Sequence, residues 1–264
     1  MPDMNKRALC AAGALFAVVA TGALAESGPD PWPGLVADIF QSRPVAAADG
    51  VIALEAPVRA EDAAIVPMTM RFSDPTQIKV ATLVIDQNPM PMAAAFTLGD
   101  KSGVDFIETR VRVNSYSNVH AVAETSDGKL RADAKFVKAS GGCSAPAVKD
   151  QDEAVANLGK MKYREFKSAD PAKREAQIMI RHPNASGMQM DPVSRAYLPA
   201  HFIDKVEVFQ GDAPIFAMEG GISLSEDPTF RFTYAPNGAK TIRVEAHDNK
   251  GGVYKGEWPI GDAS

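Results

Sequence analysis

Apolar and polar side chains alternate with a period of two over most of the chain after residue 50, and this pattern constrains the fold more than any other feature. A period of two places successive side chains on opposite faces of a β-strand. Seven such runs come first: residues 51–55, 65–72, 78–86, 93–98, 106–113, 119–125 and 130–137. Six more follow: residues 175–181, 203–210, 213–218, 229–234, 241–247 and 253–258. The sequence therefore predicts an all-β protein.

Short turn sequences such as Asp74-Pro75 and Asp127-Gly128 separate the runs, which favours antiparallel pairing. No stretch of about 12 or more helical residues alternates with the strands, which argues against a parallel α/β sheet. Each group of strands suits one sandwich of roughly 100 residues. We predict two immunoglobulin-like β-sandwich domains, residues 30–145 and 172–264, each with its own core, in contact with each other and joined by a charged linker at 146–171.

Two short helices are predicted outside the strands. In the linker, Val155, Leu158 and Met161 are spaced for one face of a helix, although the surrounding segment is strongly charged. A second helix is expected over residues 35–40.

A polar stretch between the first two strands of the second domain, residues 182–201, is too rich in Pro, Asn, Ser and Gly to form a strand. Loops this long inside compact domains are usually functional or form interfaces. His182 and His201 bracket it, and we interpret them first as anchors of the loop that meet in space and second as interface groups. The four histidines show no metal-binding spacing, so no metal site is predicted.

The first 25 residues are typical of a signal peptide. Two basic residues precede an apolar run, residues 8–24, and Ala23-Leu24-Ala25 supplies the small residues of a cleavage site. Because the run is short and ends at a cleavable site, a retained membrane anchor is the weaker interpretation. This predicts export to the periplasm and removal of Cys10, which leaves Cys143 as the only cysteine of the mature protein.

The charge balance excludes two classes of partner. The chain has 28 basic and 33 acidic side chains, a net charge of −5, and no basic run. Nucleic acids and anionic membranes require a concentrated positive surface. Neither is therefore expected as a partner.

The segment Gly141-Gly142-Cys143-Ser144 follows the last strand of the first domain and contains the thiol that we expect to be functional. The two glycines remove side-chain bulk, so the backbone can enter a narrow site. No apolar alternation surrounds Cys143, which indicates an accessible thiol on a flexible segment rather than a buried, inert cysteine. An intermolecular disulfide is compatible with the same exposure. No base adjoins the thiol, and no catalytic motif occurs elsewhere. We predict a substrate platform with no catalytic residues and no cofactor, apart from an adduct on Cys143.

These motifs resemble a known family. The first domain, with Gly-Gly-Cys at its end, resembles SoxY, and the second resembles SoxZ, the two parts of a thiosulfate-oxidising sulfur-carrier complex. The resemblance in the second domain comes from several spaced motifs: Arg181-His182-Pro183, Gly187, Leu198 to Ile203, Val206 with Val208, and Asp248 to Gly251.

The resemblance implies a role for each part. Cys143 would hold a sulfur intermediate covalently on a carrier arm formed with Gly141, Gly142 and Ser144, while the SoxZ-like domain contacts the SoxY-like one. The fusion is similar to SoxYZ-like carriers associated with quinoprotein dehydrogenases. Implied partners are periplasmic sulfur-oxidising enzymes, c-type cytochromes or a quinoprotein dehydrogenase. The family tail continues with two more glycines after the cysteine, whereas this chain continues with Ser-Ala-Pro and a second domain.

Two other functions remain open from the residues alone. The paired sandwiches could be a noncatalytic binding or assembly module for a periplasmic dehydrogenase or cytochrome, with Cys143 incidental. A copper(I) carrier is the third hypothesis, because thioethers bind copper(I). Its candidate ligands are three Met-x-Met pairs: Met68 with Met70, Met90 with Met92, and Met188 with Met190.

Overall fold

The computed structural model describes residues 30–146, 154, 156–191 and 194–261. The first half contains α1 (Trp32–Phe40), a 3-10 turn (Pro75–Gln77) and the strands β1 (Val45–Ala47), β2 (Ile52–Glu55), β3 (Val66–Phe72), β4 (Ile78–Ile85), β5 (Met92–Leu98), β6 (Phe106–Val111), β7 (Ser117–Thr125) and β8 (Leu130–Val137). The second half contains β9 (Met161–Phe166), β10 (Arg174–Ile180), β11 (Ile203–Gln210), β12 (Ala213–Gly220), β13 (Thr229–Tyr234), β14 (Thr241–Asp248) and β15 (Val253–Pro259).

The strands form two sheets that pass through both halves. The larger has nine strands in the order β1-β8-β7-β4-β5-β12-β11-β14-β15, and the smaller has six in the order β2-β3-β6-β13-β10-β9. Only β1 and β8 pair in parallel among these neighbours. Each half contributes strands to both sheets, which confirms the all-β prediction of immunoglobulin-like sandwiches. All thirteen strands predicted from the period-two pattern are present.

The two halves are joined edge to edge, at two strand pairings that we call the seam. Strand β5 pairs with β12 from Ala94↔Gly220 to Leu98↔Phe216, and β6 pairs with β13. Residues Pro31–Ser264 form one compact unit. The predicted contact between the halves is therefore a continuation of both sheets.

A single apolar core crosses the seam, so the expectation of two separate cores is wrong. Its buried residues come from both halves and both sheets. Phe96 of β5 lies 5.8 Å from Phe216 of β12 and 6.0 Å from Phe230 of β13, measured between ring centroids in edge-on geometry. Edge-on aromatic pairs stabilise a fold beyond the contribution from burying each ring. Backbone ladders and shared aromatic packing hold the halves together.

The predicted linker is also partly wrong, because β9 lies inside residues 146–171. Strand β9 pairs with β10 and forms one edge of the smaller sheet. Met161, assigned above to a helix face, is its first residue. Ala154 and Ala156 are helical, while Val155 lies outside the described residues. The short strand β1 also went unpredicted.

Helix α1 covers the outer face of the larger sheet. Phe40 is buried against Val84, Val122 and Leu130, and the ring of Trp32 stacks on His120 at 3.7 Å. The helix predicted over residues 35–40 is thus confirmed and begins three residues earlier. None of the helices in the described part of the chain is long and apolar enough to cross a bilayer.

Candidate functional site

Residues 141–144, which we call the cysteine turn, are docked on the end of the first half. Gly141 N donates to Asn114 O at 2.8 Å, and Gly142 N donates to Val113 O at 3.1 Å. Ser144 N closes the turn by donating to Gly141 O at 3.2 Å. The segment is therefore a defined turn, and the prediction of a flexible arm does not describe this conformation.

The two glycines serve a different purpose from the one predicted. Gly141 has φ +80°, which is the left-handed region that favours glycine. A Cβ on Gly142 would lie 2.1 Å from Ala63 O and 2.7 Å from Val113 O. Glycine is required here because two backbone carbonyls pack directly against the turn.

Cys143 is 0% exposed, so the expectation of an accessible thiol is wrong for this conformation. Its sequence neighbours gave no sign of burial because the groups that cover it come from distant parts of the chain. Burial raises the pKa of the thiol to about 11, although the nearby Arg112 guanidinium acts to lower it. The thiol is therefore neutral at neutral pH, and only a thiolate is a strong nucleophile.

Residues 182–191 and 194–201, which we call the covering loop, lie over the cysteine turn. Ser186 Oγ donates to Cys143 O, and Gln189 Nε2 donates to Ala145 O at 3.0 Å. Ser186 N in turn donates to Gln189 Oε1 at 3.0 Å, and both side chains are buried. The loop that stood out by its length thus closes the second half over the cysteine of the first.

A buried carboxylate anchors both ends of the covering loop. His201 Nε2 lies 2.9 Å from Asp248 Oδ2, and Tyr254 donates its hydroxyl to the same oxygen at 2.6 Å. His182 Nε2 lies 3.6 Å from that oxygen, and the two imidazole rings are 4.5 Å apart. The structure therefore brings His182 and His201 together, as predicted. The sequence marked Asp248 only as part of a motif and gave no sign of its position here.

Within this anchor, Asp248 is ionised and His182 is neutral. Burial raises the pKa of Asp248, but hydrogen bonds from Tyr254, His201 and two backbone amides outweigh it and hold the pKa well below its usual range. Burial lowers the pKa of His182 to about 4, and the neighbouring His201 adds to this.

His182, His201 and Asp248 offer three ligand atoms within 4.8 Å of one another, so a metal ion has to be considered. Asn184 N donates to His182 Nδ1 at 3.1 Å, which places the proton of the neutral ring on Nε2, facing Asp248. Coordination of a metal through Nε2 would move that proton to Nδ1. There it would clash with the N–H of Asn184, which already points at Nδ1. This geometry favours the hydrogen bonds that Asp248 accepts from His201 and Tyr254 over metal binding by all three residues, although His182 Nε2 itself is buried without a hydrogen-bond partner.

The methionine pairs lie in unlike places. Met68 and Met70 are both buried in the core that crosses the seam, whereas Met90 and Met190 are exposed. The first pair is explained by packing.

Family comparisons match each half separately. The model of the sulfur oxidation protein SoxY matches residues 36–143, and that of the sulphur oxidation protein SoxZ matches residues 163–259. The structure of the sulfur carrier protein SoxY from Chlorobium limicola f thiosulfatophilum is 27% identical, covers 41% of this chain and 91% of that chain, and has a TM-score of 0.36. Comparison with curated proteins finds no match. Because the two family matches together span most of its length, the chain belongs to the SoxY and SoxZ families, fused in one polypeptide.

Proposed function

We propose that this protein is a periplasmic carrier that holds a sulfur compound or small adduct covalently on Cys143 and presents it to partner enzymes. The observation that carries the proposal is the end of the SoxY match, which falls on Cys143 itself. The cysteine also lies where the SoxY and SoxZ parts meet, under a loop of the SoxZ part. A carrier needs no catalytic group of its own, since its partners perform the chemistry.

The burial of Cys143 means that a carrier must open before it is loaded or unloaded. Two side-chain hydrogen bonds, from Ser186 and Gln189, attach the covering loop to the turn. Each contributes about 1 kcal/mol net. Local opening is therefore expected to cost much less than unfolding the whole chain. Opening also returns the thiol to solvent, where its pKa falls and the thiolate can form.

In an oxidising compartment, the closed state would also protect the thiol. A neutral, covered thiol is protected from uncontrolled oxidation, because oxidation follows thiolate character and exposure. A partner that binds the open state preferentially would shift the equilibrium toward it. We propose that the partner is a periplasmic sulfur-oxidising enzyme, a c-type cytochrome or a quinoprotein dehydrogenase, and that residues 1–25 direct the export.

Intact-mass measurement tests the proposal. Protein purified from its host during active metabolism should carry a mass increase that a reductant removes, and peptide mapping should place it on Cys143. The Cys143→Ser variant, expressed in the same host, should show no increase. A bare thiol throughout active metabolism would contradict the carrier proposal.

The burial of Cys143 also favours a second candidate, a noncatalytic assembly module in which the cysteine only fills space. Replacing Cys143 with Ser separates the two functions, because Ser preserves the size of the side chain and removes the sulfur. Lost host function with retained partner binding supports the carrier. Unchanged host function supports the module.

A further inference from the structure

Arg112 is a buried cation placed beside the cysteine turn. It directly follows β6 and is 1% exposed. Its backbone is fixed on both sides, since Arg112 N donates to Ser223 O at 2.8 Å and Asn88 Nδ2 donates to Arg112 O at 2.7 Å. A charged side chain buried to this degree normally has an ionic partner.

The guanidinium has no such partner among the residues that the structure describes. Arg112 Nη1 donates to Gly142 O at 3.1 Å, and Nη2 donates to Asn184 O at 3.4 Å. Its Nε is buried without a hydrogen-bond partner. The side chain thus bridges the cysteine turn and the covering loop through neutral carbonyls, and its Nε donor is left unpaired.

The charges around Arg112 indicate what kind of group would pair with it. Burial lowers the pKa of Arg112, and the strongest opposing influence is negative charge at Cys143, followed by Glu226 and Asp62. With a neutral thiol, the positive charge remains poorly compensated. A negative group attached to the Cys143 sulfur would add a counter-ion next to Gly142, whose carbonyl the guanidinium already binds.

We propose that Arg112 is a positioning residue that pairs with a negatively charged group carried on the Cys143 sulfur, so that the closed turn stores anionic adducts in preference to neutral ones. The inference rests on the carrier function proposed above and adds to it the residue that holds the cargo in the closed state. It assigns this selectivity to one side chain of the SoxY part, supported from the SoxZ part by the carbonyl of Asn184.

Two adducts of nearly equal size and different charge test the proposal. The unfolded protein is alkylated on Cys143 with iodoacetate, which gives an anionic carboxymethyl group, or with iodoacetamide, which gives a neutral carbamidomethyl group. Both forms are refolded and their Tm values are measured at neutral pH. We expect the anionic form of the wild type to melt roughly 3 °C or more above the neutral form, since the Tm of a protein of this size shifts by about 2–4 °C for each roughly fivefold change in the ratio of folded to unfolded chains.

The variants assign the difference to Arg112. Arg112→Gln should reduce the Tm difference between the two adducts to about 1 °C or less, and Arg112→Lys should retain part of it. Arg110→Gln removes the same charge from an exposed position of β6 and should keep the full difference. A structural role alone would change the Tm of both adduct forms equally.

Equal Tm values of the two adduct forms in the wild type would overturn the proposal, even if Arg112→Gln failed to refold. A difference that persists in Arg112→Gln would overturn it as well. The carrier function fails independently of these results, when Cys143 from the host bears no adduct. Charge selectivity with a bare native thiol would refute the carrier and leave the pairing with Arg112 intact.

Discussion

The seam and the cysteine turn both join the first half of the chain to the second, but they are built differently. The seam consists of two backbone ladders over a shared aromatic core. The covering loop reaches the turn through two side-chain hydrogen bonds, from Ser186 and Gln189, and through Arg112. The difference indicates a permanent junction and a releasable one within the same fold. We therefore expect that the chain can expose Cys143 without separating its halves.

The largest effect is expected at the seam. Phe216→Ala removes a buried ring that contacts Phe96 across the halves, and it should lower the free energy of unfolding by about 3–5 kcal/mol. Urea denaturation measures this. Phe136→Ala is the matched control, because that ring is 49% exposed, and it should cost less than about 1 kcal/mol. Equal effects would mean that the aromatic core does not hold the halves together.

Acid should act next most strongly, through the anchor of the covering loop. The folded chain holds the pKa of His182 at about 4, below the ordinary 6.5, so the unfolded chain binds a proton that the folded chain excludes. Stability should fall as the pH drops from about 6.5 to 4, by about 3 kcal/mol from this residue. Three groups face the His182 ring: the ionised carboxylate of Asp248, the His201 ring and the Tyr254 hydroxyl. Because the pKa of Asp248 is lowered, protonation of this carboxylate reduces the stability only at still lower pH.

Urea midpoints across this pH window measure the acid effect. His182→Gln should remove most of the loss between about pH 6.5 and 4. His247→Gln, on the neighbouring part of β14, should leave the loss in place. An identical pH dependence in wild type and His182→Gln would show that the buried ring does not couple the loop to acid.

Gly142→Ala should disrupt the releasable junction. Its Cβ would meet two backbone carbonyls, which cannot move aside as a side chain can, so the turn should undock. We expect thiol-disulfide reagents to label Cys143 roughly 10- to 100-fold faster than in the wild type. Gly34→Ala places a methyl group in open space and should leave the labelling rate unchanged. Unchanged labelling of Gly142→Ala would contradict the close packing of the turn.

Ser186→Ala should give the smallest change. It removes one of the two hydrogen bonds from the covering loop, about 1 kcal/mol, and should raise the labelling rate of Cys143 roughly fivefold. Ser194→Ala, an exposed serine of the same loop, is the control. Should both variants label at the wild-type rate, the covering loop would not limit access to the thiol.

Sequence periodicity predicted the strands well and the site only partly. Strand β9 was missed because Lys162 and Arg164 occupy its exposed face, so an edge strand resembled a charged linker. Cys143 was expected to be exposed because burial was judged from its polar sequence neighbours. Residues that contact the backbone of this segment, such as Ser186 and Gln189, are distant in sequence. Arg112 lay within the predicted run 106–113, which also contains Glu108 and Arg110, and nothing local indicated that its charge is buried.

The central claim is that Cys143 becomes accessible by local release of the turn while the seam stays folded. The denaturant dependence of its labelling rate tests this most directly, because the slope reports how much surface the opening exposes. We predict that low urea concentrations leave the rate nearly unchanged and that it rises only as the chain unfolds. A rate that follows the full slope of global unfolding from the lowest urea concentrations would contradict the account.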